Sequence, residues 1–231
     1  MCAIIGAVLE KPSDEDLILL KRVILESSIR GLHATGMTVV KNGRLHTRKD
    51  SLPAAEFLAT VDFFDLLNED GNLYMVAHCR YSTSDLEYNQ PMMNNDISIV
   101  HNGVITQELP ENWKKLYGFD CQTKNDSELL LKTVESGQNP LLKWSEASIS
   151  ACEIRSDKTF RFYRNGKRPL QMKTVGSGVI VASTKDIFVR SGIDNSIDSE
   201  MNVVYTLKDG IMSAVSVPTN NKDLQYGKYE I

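Results

Sequence analysis

The side chain best suited to covalent chemistry at the start of the chain is that of Cys2, which follows Met1 and precedes the apolar run AIIGAVL. A free thiol has a pKa of about 8.5 and needs a nearby base to become a nucleophile at neutral pH. Removal of Met1 would give Cys2 its own α-amine, whose pKa of about 7.7–8.0 suits proton transfer. The nucleophile and its base would then be parts of one residue.

An ordinary interpretation of Cys2 is also open, namely a small buried residue at the start of a strand. The other cysteines, Cys79, Cys121 and Cys152, have no neighbour in the sequence that supplies a base or stabilises a thiolate, so we expect them to be inert. No Cys-x-x-Cys pair occurs, which argues against a disulfide framework or a zinc site. Other segments of the sequence must therefore decide between the two interpretations of Cys2.

Strand-like and helix-like patterns of apolar residues alternate along the chain. Strands are predicted at residues 3–9, in the hairpin MTVVKNGRLHTR, and in the runs LYMVAHCRY, ISIVHNG, SISACEI, TFRFYRN, GVIVAS, NVVYTL and GIMSAVSV. Helices are predicted at about 14–30, 53–67, 126–136 and 184–190. His78 and His101 fall in strand-like runs, where buried histidines with satisfied ring nitrogens are expected. Many strands with helices outside them predict a layered domain of largely antiparallel sheets.

The composition suits one folded domain over residues 1–231, because 42% of the side chains are hydrophobic and no repeat or linker divides the chain. The formal charge of -4 gives no basic surface for nucleic acid or for a membrane. No apolar run reaches the roughly 18 residues of a membrane-spanning helix, and no signal peptide is predicted. We therefore expect a cytoplasmic protein. No phosphate-binding loop or metal motif suggests a cofactor or a metal ion.

Six short segments occur in one order along the chain: CAIIG at 2–6, RGLHATGM at 30–37, HCRYST at 78–83, NQPM at 89–92, IVHNGVI at 99–105 and NDSELL at 125–130. Each segment alone is a modest signal, but together and at these separations they are specific. The sequence resembles the class II glutamine amidotransferases, whose mature chains begin Cys-Gly-Ile-Ile-Gly or a close variant. Weaker similarity at RNGKRPL (164–170) and VIVAST (179–184) extends the resemblance over nearly the whole chain.

This resemblance implies an α+β fold, the four-layer αββα sandwich of the N-terminal-nucleophile (Ntn) hydrolases, in which two mainly antiparallel sheets lie between helices. It also implies that Cys2 attacks the side-chain amide of glutamine. The Asn102 side-chain amide and the Gly103 backbone N–H would form the oxyanion hole. From local sequence alone, Asn102-Gly103 would be interpreted as a hairpin turn.

The same resemblance assigns three residues to the amino-acid end of glutamine. Arg80 would bind the α-carboxylate, Thr83 would support that carboxylate with its hydroxyl, and Asp126 would bind the α-ammonium group. Ordinary alternatives remain for each of them, namely a surface arginine, a turn threonine and a helix N-cap aspartate, respectively.

Three positions depart from the family pattern. Ala3 replaces the commoner glycine after the nucleophile, His33 stands where many relatives have aspartate, and Ser84 stands where aminosugar-synthesising members have histidine. The tripeptide Tyr81-Ser82-Thr83 is closer to the amidophosphoribosyltransferase version of this loop. The loop therefore does not identify the molecule that accepts ammonia.

The activity expected from the resemblance is that of a glutamine amidotransferase, with glutamine as the substrate. Family members normally carry a synthase domain behind the glutaminase domain, whereas this sequence ends at Ile231. The ammonia acceptor is therefore expected on a separate synthase chain, or in a small molecule such as a nitrile or an activated carboxyl group, with a 7-deazaguanine-type acceptor as one candidate. Two alternatives stay open: an Ntn amidase acting on a different amide, and a non-catalytic regulatory domain that binds glutamine. The sequence does not indicate an oligomeric state.

Overall fold

The computed structural model describes residues 1–82 and 87–218. The strands within these residues are β1 (Ala3–Leu9), β2 (Ala34–Lys41), β3 (Arg44–Asp50), β4 (Leu73–Arg80), β5 (Met92–Met93), β6 (Ile97–Val104), β7 (Ser148–Arg155), β8 (Phe160–Arg164), β9 (Gln171–Val175), β10 (Gly178–Ala182), β11 (Ile197–Asp198), β12 (Val203–Lys208) and β13 (Ile211–Ser216). The helices are α1 (Asp14–Glu26), α2 (Ala54–Leu58), α3 (Trp113–Tyr117), α4 (Ser127–Glu135), α5 (Pro140–Lys143) and α6 (Lys185–Arg190). Short 3-10 helices lie at Ser27–Arg30, Phe64–Leu66 and Pro110–Asn112.

The strands form two antiparallel sheets. One sheet has seven strands in the order β11-β9-β10-β1-β4-β2-β3, and the other has six strands in the order β13-β12-β8-β7-β6-β5. The apolar faces of α1, α2 and α6 pack on the outside of the seven-stranded sheet, and those of α3, α4 and α5 pack on the outside of the six-stranded sheet. The four-layer αββα sandwich expected for this sequence is therefore confirmed.

A third apolar cluster fills the space between the two sheets. It includes Ile4 and Val8 from β1, and Phe160 and Phe162 from β8, which are all buried. Residues of β1 alternate between this cluster and the one under the helices, so the strand is covered on both faces. Burial on both faces explains why β1 reads as a continuous apolar run.

The helix expected at 53–67 is shorter in the structure, because α2 ends at Leu58 and a separate 3-10 helix begins at Phe64. The hydroxyl of Thr60 donates to the Phe57 carbonyl oxygen, and the Asp62 carboxylate accepts from the Phe64 N–H. Such local side-chain bonds to the backbone compete with helical hydrogen bonding. They divide the segment into two short pieces. No helix among residues 1–82 and 87–218 has the length and apolar character needed to cross a membrane.

Two histidines, His78 of β4 and His101 of β6, are buried. His101 bonds through both ring nitrogens: Nδ1 lies 3.0 Å from Ser127 Oγ, and Nε2 lies 3.1 Å from the Ser148 carbonyl oxygen. Because a carbonyl oxygen only accepts, Nε2 carries the proton and Nδ1 accepts from Ser127. His78 is equally buried, but its Nε2 has no partner among the described residues. The expectation of satisfied ring nitrogens therefore fits His101 and is wrong for Nε2 of His78.

The packing between the sheets predicts the effect of a single added methyl group at Gly6 in β1. A Cβ at this position would collide with the ring of Phe160 and lie 3.2 Å from the Cys152 sulfur. We expect Gly6→Ala to lower the free energy of unfolding by about 1–3 kcal/mol, because a close-packed core does not accept extra volume without strain. Urea unfolding measures this change. Gly176→Ala, where an added Cβ meets nothing within 4 Å, is the control, and equal stabilities of the two variants would contradict the packing described.

Burial of His78 predicts how stability depends on pH. Burial, with the nearby charges of Arg80 and His101, lowers the pKa of His78 to about 3, whereas an unfolded histidine titrates at about 6.5. Below about pH 6.5 the unfolded chain binds a proton at His78 that the folded chain does not bind, so the free energy of unfolding falls as the pH falls. We expect His78→Gln to abolish ~2 kcal/mol of the loss between about pH 7.5 and pH 5.

Urea unfolding at a series of pH values tests this prediction. His46→Gln is the matched control, because it makes the same replacement at an exposed histidine. If the free energy of unfolding depends on pH in the same way in the wild type and in His78→Gln, His78 binds its proton as readily in the folded protein as in the unfolded chain.

Candidate active site

Cys2 lies where the first strand enters the seven-stranded sheet. β1 pairs antiparallel with β4, and the register places Ala3 opposite Cys79. The start of β1 therefore lies beside the end of β4, where Arg80 is the last residue. Cys2 is partly exposed, and its Sγ lies 3.9 Å from the Tyr81 carbonyl oxygen. The strand register thus brings two of the residues selected from the sequence, Cys2 and Arg80, to the same edge of the sheet.

Arg30 holds the backbone at this position. Its Nε donates a hydrogen bond of 3.0 Å to the Cys2 carbonyl oxygen, and its Nη2 lies 3.7 Å from the Met1 sulfur. This role of Arg30 is not predicted from the sequence, although Arg30 is the first residue of the segment RGLHATGM. An arginine at the end of a helix gives no signal of a partner 28 residues earlier, so only its place in the motif could have indicated it.

Asn102 and Gly103 belong to β6 and pair with β7, so the interpretation of this dipeptide as a hairpin turn is wrong. Asn102 is 4% exposed, and its Nδ2 has no hydrogen-bond partner among the described residues. Gly103 has a φ of +152°, and a Cβ there would collide with the Ser148 carbonyl oxygen. A glycine is therefore required by conformation and by space. The missing side chain lets the Ser148 carbonyl of β7 approach Gly103 closely.

Arg80 is anchored by the residues around the NQPM segment. Its Nη1 donates to the Tyr88 carbonyl oxygen at 3.1 Å and to Asn89 Oδ1 at 2.6 Å. The next residue, Gln90, bonds with its side chain to the backbone N–H and carbonyl of His101, at 2.6 Å and 3.0 Å. The NQPM segment thereby links the seven-stranded sheet to the six-stranded sheet and fixes where the Arg80 guanidinium lies.

Asp126 stands immediately before α4, but its side chain does not cap the helix. Its Oδ2 accepts a hydrogen bond of 2.6 Å from the Ile105 N–H, just after the end of β6. The first turn of α4 is supported by Asn125 instead, whose Oδ1 accepts from the Ser127 N–H. The carboxylate of Asp126 is therefore tied to the strand that carries Asn102, and the helix-cap alternative does not account for this residue.

The loop after β4 is held by His33. The His33 N–H donates to the Arg80 carbonyl oxygen, and its Nδ1 accepts from the Ser82 N–H at 2.8 Å. The His33 ring also packs on the Tyr81 ring, with 4.9 Å between the centroids. The Nδ1 atom of His33 thus accepts a backbone hydrogen bond that the carboxylate of an aspartate at this position could also accept. Thr83 lies outside the described residues, as does Ser84.

Five of the six residues selected from the sequence line one cavity of about 610 Å³: Cys2, Arg80, Asn102, Gly103 and Asp126. The positive group of Arg80 and the negative group of Asp126 can receive the two charges of an amino acid. The Asn102 amide and the Gly103 backbone can stabilise an oxyanion. Among residues 1–82 and 87–218, no cluster of three or more His, Cys, Asp or Glu side chains is placed to hold a metal ion.

The other cysteines are unsuited to nucleophilic chemistry. Burial raises the pKa of Cys79 and of Cys121 to about 12, and burial also raises the pKa of Cys152. Cys79 and Cys152 are fully buried, with Cys152 between the two sheets. A thiol with a raised pKa carries almost no thiolate at neutral pH. Among the four cysteines, only Cys2 lines the cavity that contains Arg80 and Asp126.

A family model described as a glutamine amidotransferase domain matches residues 61–231. The chain is also similar to the glutamine–fructose-6-phosphate aminotransferases (isomerizing) of Vibrio vulnificus strain YJ016, at 32% identity over 143 residues, and of Vibrio parahaemolyticus serotype O3:K6, at 34% over 143 residues. Each alignment covers 58% of this chain. The chain spans only 22% of the length of these relatives.

Solved structures show the same fold. The glutamine phosphoribosylpyrophosphate amidotransferase of B. subtilis superposes with a TM-score of 0.71 at 20% identity, over 93% of this chain and 49% of that one. A glutamine aminotransferase class-II domain protein of Silicibacter pomeroyi superposes with a TM-score of 0.56 at 10% identity, over 94% of this chain and 100% of that one. Fold, family model and relatives agree: the chain belongs to the class II glutamine amidotransferase family and has the Ntn-hydrolase fold.

Proposed function

We propose that this chain hydrolyses the side-chain amide of glutamine with Cys2 as the nucleophile and delivers the ammonia to an acceptor. The observation that carries the proposal is the convergence of Cys2, Arg80, Asn102, Gly103 and Asp126 on one cavity. These residues come from both sheets and from the start of α4. Their chemistry supplies a thiol, two charges for an amino acid and donors for an oxyanion, which are the parts that amide hydrolysis of free glutamine requires.

The proposed mechanism begins with removal of Met1, which frees the α-amine of Cys2. This amine takes the thiol proton, directly or through a water molecule, and the sulfur attacks the amide carbon of glutamine. Asn102 Nδ2 and the Gly103 N–H donate to the oxyanion of the tetrahedral intermediate. Ammonia leaves with the proton that the amine returns, and a γ-glutamyl thioester remains. Water then releases glutamate and restores the thiol.

Selectivity for glutamine is assigned to the charges at the other end of the cavity. Arg80 binds the α-carboxylate, and Asp126 binds the α-ammonium group, because each charged group of the amino acid is stabilised by a side chain of opposite charge. We also assign Thr83 as a hydroxyl donor to the carboxylate. This assignment rests on the sequence motif alone. An Arg80 already held by Tyr88 and Asn89 is ordered before the substrate arrives, which reduces the entropy cost of binding.

We further propose that residues 1–231 form one glutaminase domain that needs no cofactor of its own. Fructose 6-phosphate and phosphoribosylpyrophosphate occur in the names of relatives, and the acceptor here is assigned more broadly. It is either a synthase chain or a small molecule, such as a nitrile, an activated carboxyl group or a 7-deazaguanine derivative. A cytoplasmic location is included, because Cys2 must stay a reduced thiol.

The first test compares glutamine hydrolysis in the wild type and in Cys2→Ala. We expect turnover to fall about 1,000-fold or more, because the variant lacks the attacking atom. A coupled assay of glutamate and ammonia release measures it. Cys121→Ala is the matched control, since Cys121 is the other partly exposed cysteine, and its turnover stays within about twofold of the wild type.

The role of the α-amine needs a separate variant. A chain made with an N-terminal extension that a protease removes directly before Cys2 is expected to be inactive before cleavage and active afterwards, since the extension ties the amine into a peptide bond. Full activity of the uncleaved chain would contradict the proposed base. Turnover retained in Cys2→Ala would exclude Cys2 as the nucleophile.

The second test addresses the substrate. Asp126→Asn keeps an oxygen for the Ile105 N–H but loses the charge that would pair with the α-ammonium group. We expect kcat/KM for glutamine to fall about 30-fold, which corresponds to ~2 kcal/mol, mainly through KM. For glutaramate, which has the amide and the carboxylate but no amine, the same variant is expected to show little change.

The outcomes of this second test separate the alternatives. An equal fall in kcat/KM for glutamine and for glutaramate would mean that Asp126 does not bind the α-ammonium group. A wild-type enzyme that hydrolyses other amides but ignores glutamine would favour an Ntn amidase of different specificity. Saturable glutamine binding without ammonia release would favour a regulatory binding domain.

A further inference from the structure

A cluster of charged residues lies on the outer face of the six-stranded sheet, next to the C-terminal end of α4. Glu153 and Arg155 are two residues apart on β7, and the strand register places Arg161 of β8 opposite Glu153, with Tyr163 two residues further along. Side chains at these positions point to one face of the sheet. Glu153, Arg155, Arg161 and Tyr163 are called the arginine cluster below.

The arginine cluster carries more positive than negative charge. The Glu153 side chain is 1% exposed, and its Oε1 lies 3.4 Å from Arg155 Nη2 and 3.3 Å from Arg161 Nη1. One carboxylate thus faces two guanidinium groups. The neighbouring acid Glu135 is already paired with Lys132 at 3.0 Å. The excess positive charge is a local feature, because the chain as a whole has a formal charge of -4.

Three hydrogen-bond donors of the cluster are left without a partner. Arg155 Nε, Arg161 Nε and the Tyr163 hydroxyl are buried and have no hydrogen-bond partner among the described residues. Tyr163 is only 2% exposed. Buried donors in folded proteins are nearly always paired, so three unpaired donors in one place call for an acceptor that residues 1–82 and 87–218 do not supply.

All four residues of the arginine cluster line a cavity of about 590 Å³, a volume in the range of small-molecule sites. Apolar walls complete the cavity; they are formed by Val134, Pro140, Val204, Val215 and Val217. The side chains of Arg155 and Arg161 are 28% and 39% exposed, so a ligand can reach them from solvent. Within the described part of the chain, this cavity shares no lining residue with the cavity at Cys2.

We propose that the arginine cluster binds an oxyanion carried by a small organic molecule, either a phosphate monoester or a carboxylate. Guanidinium groups recognise both oxyanions with paired N–H donors, and the Tyr163 hydroxyl supplies one more donor. The valine walls receive the organic part of the ligand. This proposal does not depend on the chemistry of Cys2, because it rests on residues of a different cavity.

Isothermal titration calorimetry with the full chain tests the proposal, with glycerol 3-phosphate, inorganic phosphate and citrate as separate probes. We expect saturable binding of at least one probe, weakened tenfold or more in Arg161→Gln. Arg190→Gln is the control, since Arg190 is paired only on the surface with Asp186, and it leaves the affinity unchanged. A preference for glycerol 3-phosphate or for citrate identifies the phosphate ester or the carboxylate as the ligand class.

Tyr163→Phe provides a second variant that keeps the packing of the ring and removes only the unpaired hydroxyl. The proposal predicts weaker binding in this variant, by about threefold or more, with a thermal unfolding temperature at least equal to that of the wild type. Absence of saturable binding with all three probes would overturn the proposal. Binding that is equally strong in Arg161→Gln and in the wild type would overturn it as well.

Discussion

The antiparallel pairing of β1 with β4 is the constraint on which the candidate active site depends. The register of Ala3 opposite Cys79 places the start of the chain beside the end of β4, and the hydrogen bond from Arg30 to the Cys2 carbonyl fixes the backbone there. A terminal residue is ordinarily among the least ordered parts of a domain. Here it enters a strand in the middle of the seven-stranded sheet, so a reactive group on residue 2 has a defined position.

The second sheet brings the complementary groups to this terminus. Gln90 bridges to His101 and to Ser127, which ties the NQPM segment to both β6 and α4. Burial lowers the pKa of His101, and both ring nitrogens of this residue bond within the same framework. Among the residues that the structure describes, the same framework leaves Nδ2 of Asn102 without a partner. Buried donors are nearly always paired in folded proteins, so this amide N–H is a donor available to a ligand.

Much of the fold and of the site could be predicted from the sequence, for reasons that differ by residue. The apolar run of β1 and the Ser13 capping box of α1 are local signals, and the structure shows both. The set Cys2, Arg80, Asn102, Gly103 and Asp126 came from the order of motifs, because no local pattern places residues from two sheets around one cavity.

Other features depend on contacts that a linear sequence does not display. The bond between Arg30 and Cys2, and the position of Asn102-Gly103 inside a strand instead of a turn, both follow from strand register and tertiary packing. The same is true of Arg161 opposite Glu153. Considered alone, a dipeptide such as Asn102-Gly103 resembles a turn, and a single arginine resembles a surface charge. Only the pairing and packing of neighbouring segments show the actual contacts.

The central claim is that residue 2 is a nucleophile directed at glutamine. Its most direct test is the intact mass of the purified protein, before and after incubation with a diazoketone analogue of glutamine, followed by peptide mapping. The account predicts a chain that has lost Met1 and gains one adduct, located on Cys2 and absent in Cys2→Ala. A chain without Met1 that gains no adduct, or gains it on Cys121, would contradict the claim.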